Sequence, residues 1–184
     1  MGDNKILFVD LDGTLIKEDL SNLAFSFSLK NNPLKMLFYL FLFLFKGKPY
    51  LKYQISRNFE IPFEKLTYNK AAFDFIREVK NKHCTVYLIS GSHQILVDQM
   101  AKYLNIFFES FGTKDNFNMV GNNKVRFINE NLKIHDFDYL GNSYKDLPIW
   151  KYTKKAIHTN ASLKLMKIIK AQDFEDIEIP ANFT

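Results

Sequence analysis

Residues 6–15 read Ile-Leu-Phe-Val-Asp-Leu-Asp-Gly-Thr-Leu, and this stretch restricts the fold more tightly than any other. Four apolar residues in a row, entered from Lys5 and closed by an acidic turn, read as a buried strand of a parallel sheet. Both acids sit at the carboxyl end of that strand, the edge where open α/β sheets bind ligands. Being two apart, Asp10 and Asp12 point the same way. Two carboxylates in one crevice suit a hard cation such as Mg2+ and covalent or acid–base work on a phosphate.

A chain of 184 residues suits one domain with a small insertion. Its 47% apolar and 24% charged residues are ordinary globular values. The single cysteine, Cys84, excludes an internal disulfide, fits a reducing compartment and reads as a buried structural thiol in a strand. Met1 to Asn4 lack a basic start followed by an apolar stretch, so no secretory signal is read. Gly2 is not followed by Ser or Thr at position 6, which is Ile, so a myristoylation motif fails. The expected location is the cytoplasm, with a peripheral position at the inner face of the membrane as an extension. The net charge of +5 comes without an aromatic-basic or basic-helix readout motif, which argues against nucleic acid. A phosphate substrate or an anionic lipid surface accounts for it equally well.

The charge is not evenly spread. Segment 17–70 holds nine basic and four acidic residues, so the whole formal excess sits there. It reads as helical: Asp19 or Ser21 caps a helix to about Lys30, and Pro33 opens a second one to about Lys46. Gly47 and Pro49 break it, and a third helix covers roughly Tyr50 to Phe59, before Pro62. The second helix is apolar on every face from Leu34 to Phe45 apart from Lys35. It is too short to span a bilayer, which needs about twenty residues. It must bury itself either at the centre of a small helical cap or in a lipid interface. In the lipid case Lys46, Lys48, Lys52 and Arg57 would meet anionic headgroups, making 34–57 a peripheral membrane contact.

From Asn69 the core layout returns. An amphipathic helix runs to about Asn81, then Thr85 to Ile89 forms a buried strand ending in Ser90-Gly91-Ser92. A helix from Gln94 to Leu104 follows directly. A strand-end hydroxyl plus the free N–H groups of a helix start make a phosphate seat, so Ser90 is the expected phosphate ligand, helped by the Gly91 and Ser92 amides. His93 reads as an exposed helix-start histidine, with substrate contact as the alternative. Ile106-Phe107-Phe108 begins a third strand, and Phe111 to Asn123 reads as loop. Lys124 opens a helix, where a lysine works against the helix dipole and so suggests a site role; Lys114 competes less well. Phe137 to Leu140 gives a fourth strand, Ala156 to His158 a short fifth, Ser162 to Ala171 a helix, and Ile177 to Ile179 an edge pairing in the tail.

Asp10-Leu11-Asp12-Gly13-Thr14-Leu15 after an apolar strand resembles the first motif of the haloacid dehalogenase (HAD) superfamily. Ser90 at the end of the second strand, Lys124 at a helix start and Gly141-Asn142-Ser143 followed by Asp146 resemble its other three motifs. The usual acid after the glycine of the fourth motif is here Asn142, whose amide oxygen still ligates Mg2+ without a charge. Phe137 to Trp150 and Gly47-Lys48-Pro49-Tyr50-Leu51-Lys52 further resemble the HAD domain that precedes UbiA-superfamily prenyltransferases in bacteria.

The resemblance implies a three-layer, doubly wound α/β domain with a parallel sheet, residues 1–16 and 68–184, and a small helical cap, residues 17–67, inserted after strand 1. It implies Mg2+-dependent hydrolysis of a phosphomonoester. Asp10 would be the nucleophile, Asp12 the general acid and base, and Ser90 and Lys124 the holders of the phosphoryl oxygens. Gly13, Thr14, Gly91 and Ser92 join Ser90 and Lys124 in phosphate binding; Asp10, Asp12, Asn142 and Asp146 hold the metal. Asp12 argues against a dehalogenase. The implied substrate is a lipid-linked prenyl phosphosugar, with a membrane prenyltransferase as partner. Two other readings stand beside it: a small-molecule phosphatase of the phosphoserine type, and a non-catalytic HAD-like binding module.

Overall fold

A computed structural model of the chain describes residues 5–114, 116–153, 155–172 and 175–184. The readings on Met1 to Asn4 and on Phe174 lie outside them. Six strands form one sheet: β1 (Ile6–Val9), β2 (Thr85–His93), β3 (Ser110–Thr113), β4 (Asp138–Gly141), β5 (Lys155–Thr159) and β6 (Glu175–Ile179). Their order is β3-β2-β1-β4-β5-β6 and every pairing is parallel. β1 therefore lies between β2 and β4, at the point where the strand order reverses and ligands collect in such sheets.

Strand alternation sorts the core into two layers. Leu7, Val9, Val86 and Leu88 face one side, where α3 (Lys70–Asn81) and α4 (Gln94–Leu104) bury Ile76, Leu96 and Met100. Phe8, Ile89 and Tyr139 face the other, against Val125 of α5 (Asn122–Arg126), Trp150 of α6 (Leu147–Trp150) and Ile169 of α7 (Leu163–Lys170). The result is the expected three-layer doubly wound α/β sheet.

Between β1 and α3 stand α1 (Leu20–Asn31) and α2 (Pro33–Ser56). Asp19 caps α1, its carboxylate accepting from the Asn22 N–H at 2.9 Å. The predicted break is present: Gly47 is non-helical, with φ 74° and ψ −178°, so α2 is two helical segments that meet at a kink, the expected second and third helices. Within its first half only Met36 is fully buried, with Tyr39 and Leu40 packed against the core. Burial of the apolar helix on every face is therefore overturned. The insertion has one helical neighbour, α1, to offer it, and one neighbour covers one face.

Three local expectations also change. β2 does not end at Ile89; it runs to His93, with a register shift against β3 between those residues, so Ser90 to Ser92 are extended rather than a turn. Gly112 permits this, because a Cβ there would lie 2.8 Å from the Gln94 Cα. The third strand starts at Ser110, not Ile106, and takes Phe111–Thr113 from the expected loop: Ile106 and Phe107 are half-buried in the connection, and Phe108 is exposed. Lys124 sits in the third position of α5, and the chain continues as a π-helical turn over Phe127–Asn131. Cys84 lies just before β2, half-buried, and burial pushes its thiol above the usual range.

Candidate active site

The carboxyl ends of β1, β2 and β4 open into a cleft of about 320 Å3 lined by Asp10, Asp12, Gly91, Ser92, Lys124, Asn142 and Asp146, among others. Asp10 continues the β1 ladder, its N–H donating to the Leu140 carbonyl at 2.9 Å. Its side chain receives the buried Lys124 ammonium at 2.6 Å. Lys124 also donates to the Tyr139 hydroxyl at 2.7 Å, and that hydroxyl donates to Asp146 Oδ1 at 2.8 Å. The second Asp146 oxygen accepts from the N–H groups of Asn142 and Ser143 and from the Ser143 hydroxyl. Gly141 makes room, since a Cβ there would sit 2.8 Å from the Asp146 Cγ.

Asp12 has different company. Its Oδ2 accepts from Ser90 Oγ and Ser92 Oγ, both at 2.8 Å, and its Oδ1 from the Leu20 N–H at 2.9 Å, the first amide of α1. Ser90 is fully buried behind Asp12, and the Ser92 amide already donates to its hydroxyl at 3.0 Å. The expected amide pair is thus half committed, and α4 begins only at Gln94, beyond the cleft. His93 is buried rather than exposed: it caps α4 through Nδ1 and its ring packs at a tilt against Tyr53. Gly13 and Thr14 do not line the cleft. Gly13, at φ 78°, closes the turn, and a Cβ there would collide with the Asn142 amide; Thr14 is buried with its carbonyl bonded to Asn69.

Burial dominates the electrostatics. It pushes the Asp10 carboxyl up to about 7, against the pull of Lys124 and with a further push from the Asp146 and Asp12 charges. Asp12 is also raised, first by burial and then by Asp19, while the Leu20 amide and the two serines pull it back. Burial and the nearby carboxylates push Tyr139 well above the usual phenol range, so it stays a hydroxyl donor.

Sequence reasoning missed Tyr139 and misassigned Lys52. Tyr139 was hidden as one more apolar strand residue, although a fully buried hydroxyl must find a partner. Lys52, expected at lipid headgroups, turns inward from α2: its ammonium donates to the Gly91 carbonyl at 2.5 Å and to Asn118 Oδ1 at 2.7 Å. Burial lowers it to about 8. Lys48 and Lys145 line the same cleft, which so carries cations at its wall and carboxylates at its floor. Lys114, the competitor of Lys124, is exposed and outside it.

The donor set fits a hard oxygen-seeking cation. The buried Asn142 Oδ1 has no hydrogen-bond partner, an orphan acceptor in a cleft it shares with Asp10, Asp12 and Asp146. Among the described residues no three His, Cys, Asp or Glu side chains are disposed to hold a metal by themselves.

The profile of the haloacid dehalogenase-like hydrolases matches residues 7–151. The chain belongs to that family, and is thereby an enzyme of the hydrolase class. Over 163 residues it is 28% identical to the uncharacterized protein y4nM of Sinorhizobium fredii (strain NBRC 101917 / NGR234), covering 88% of this chain and 31% of that one. The chain thus spans about a third of that relative. Among solved structures it resembles a protein of unknown function from Bordetella pertussis Tohama I, at 13% identity and TM-score 0.68, covering 95% and 99% of the two chains. It also resembles a substrate-bound phosphoserine phosphatase, at 19% identity and TM-score 0.60, covering 97% and 94%. At such identities the structural likeness speaks for the fold. No helix among the described residues is long and apolar enough to cross a membrane.

Proposed function

We propose that the chain hydrolyses phosphomonoesters through an aspartyl-phosphate, with residues 17–67 acting as a cap over a core of 1–16 and 68–184. The observation that carries this reading is the Asp10 carboxylate, held by Lys124 at 2.6 Å in a cleft where Asp12 stands ready with hydroxyl partners. Asp10 Oδ1 is committed to Lys124, so Oδ2 attacks phosphorus as the bond to the leaving oxygen breaks. Asp12, whose raised pKa favours carrying a proton, protonates that oxygen. It then takes a proton from water as the water attacks phosphorus, which releases inorganic phosphate and restores the Asp10 carboxylate. Substrate oxygens replace Asp12 as the acceptors of the Ser90 and Ser92 hydroxyls, while Lys124 neutralises the developing charge.

The Asp10 carboxylate, the Asp12 carbonyl, Asn142 Oδ1 and Asp146 are the groups that would hold Mg2+. When bound, it neutralises charge on the transferring phosphoryl group. A lipid-linked prenyl phosphate is the substrate class we favour, supported by the motif resemblance to prenyltransferase-linked HAD domains and by the exposed apolar stripe on α2; on this reading a membrane prenyltransferase is the partner. A phosphoserine-type small-molecule phosphatase is the second reading, favoured by neighbours that are phosphoserine phosphatases.

The test is Mg2+-dependent phosphate release from an aryl phosphate. Wild type turns over, and Asp10→Asn loses about a thousandfold or more with its circular dichroism unchanged. Full activity in Asp10→Asn would remove the nucleophile assignment. Absence of turnover in the wild type, with phosphate still bound, would point to a binding module.

A further inference from the structure

The outer face of α2 carries an exposed apolar stripe that lies outside the cleft. Leu34, Leu37, Phe38, Phe41, Leu44 and Phe45 recur at helical spacing on one side of the helix, and all are 58–81% exposed. The opposite face, carrying Met36, Tyr39 and Leu40, is the one docked on the core. A soluble helix normally shows its polar face to solvent, so this amphipathicity is inverted. We propose that this face of α2 docks the protein on an anionic lipid surface.

Charge complementarity names the occupant. From Leu20 to Phe59 the chain carries six basic residues and no acidic one. Lys30, Lys35, Lys46 and Lys48 are exposed around the apolar stripe. A stripe of Phe and Leu bordered by lysines is the composition of a helix lying in the headgroup region of an anionic bilayer. Residues 33–46 span roughly 21 Å as helix, short of the ~30 Å hydrocarbon core, so the helix lies in the interface and does not cross it. A second copy of the chain fits less well, because a two-fold contact would set two such cationic segments against each other.

The position of the stripe ties docking to the site. Phe45 ends it, and after the Gly47 kink Lys48 and Lys52 line the catalytic cleft. An embedded stripe therefore brings the lysine-lined wall of the cleft toward the headgroups, where a phosphate on a lipid is found. That last step rests on the phosphatase reading; the docking does not.

The test is co-flotation with phosphatidylcholine vesicles, with and without phosphatidylglycerol. Wild type floats with the phosphatidylglycerol vesicles, and raised salt weakens it. Phe41→Ser with Phe45→Ser lowers binding about tenfold or more, and Lys35→Glu with Lys46→Glu does the same on the anionic vesicles. Both double variants keep the wild-type melting curve and wild-type turnover of a soluble aryl phosphate, since none of the four residues touches the cleft. Wild type that stays with the lipid-free fraction overturns the proposal, as does equal flotation of the variants. A concentration-dependent dimer that the phenylalanine variant abolishes, with no vesicle binding, would give the face to a second copy instead. A chain that floats but does not turn over retains the docking and loses the phosphatase.

Discussion

Asp10 and Asp12 are two residues apart in sequence, yet the tertiary structure gives each its own chemistry. Burial favours the protonated form of both; at Asp10 the Lys124 ammonium pulls back toward the charged, nucleophilic form, and at Asp12 the Leu20 amide and the two serine hydroxyls do so. Tyr139 holds the first arrangement together by standing between Lys124 and Asp146. Tyr139→Phe keeps the ring and leaves both charged partners one bond short. The expected cost is about 1–3 kcal/mol in urea unfolding, with kcat reduced roughly tenfold. Lys52 gives a pH signature. Its folded pKa is lowered to about 8, so it is charged below that value and neutral above. Losing a cation from an anion cleft weakens substrate capture, so kcat/KM falls as pH rises through about 8. Lys52→Gln should start low and stay flat across that range; a wild-type alkaline limb in this variant would assign the titration elsewhere.

At the scale of elements, the bend in α2 decides what its two halves do. Gly47 has φ 74° and ψ −178°, a conformation that glycine alone adopts cheaply. The nearest atom to a Cβ there is Pro49 Cδ at 3.8 Å, so space is not the obstacle and backbone strain is. Gly47→Ala is expected to cost about 1–3 kcal/mol in urea unfolding and to raise KM by moving Lys48 and Lys52 off the cleft wall. The extension of β2 to His93 has a parallel effect: it carries Ser90 and Ser92 to Asp12 as extended backbone and leaves the start of α4 outside the cleft. The cleft therefore presents hydroxyls and lysines rather than a helix terminus.

For the whole molecule, the cleft concentrates four aspartates, Asp10, Asp12, Asp19 and Asp146, whose mutual repulsion the cleft's lysines and a bound cation offset. A bound Mg2+ that ignores the unfolded chain stabilises the fold by about 1.4 kcal/mol at ten times its Kd. The melting temperature should therefore rise with Mg2+ in the wild type and much less in Asp10→Asn; equal shifts would place the ion at another site. The sequence by itself determined the parallel α/β sheet and which residues gather at its carboxyl edge. Runs such as Ile6–Val9 must be buried, a parallel strand presents its carboxyl end to ligands, and Asp10, Asp12, Ser90, Lys124, Asn142 and Asp146 stand at those ends or on the helices that follow them. The tertiary structure alone decided the partners. Tyr139, fifteen residues from Lys124, meets it because α5 packs on the face of the sheet that carries Tyr139; Lys52 reaches Gly91 because α2 folds back across β2. It also decided that the Phe and Leu side chains of α2 stay outside, because α1 and the core cover only one side of that helix. Local pattern fixes which residues prefer burial, and only the count of neighbouring surfaces says whether they obtain it.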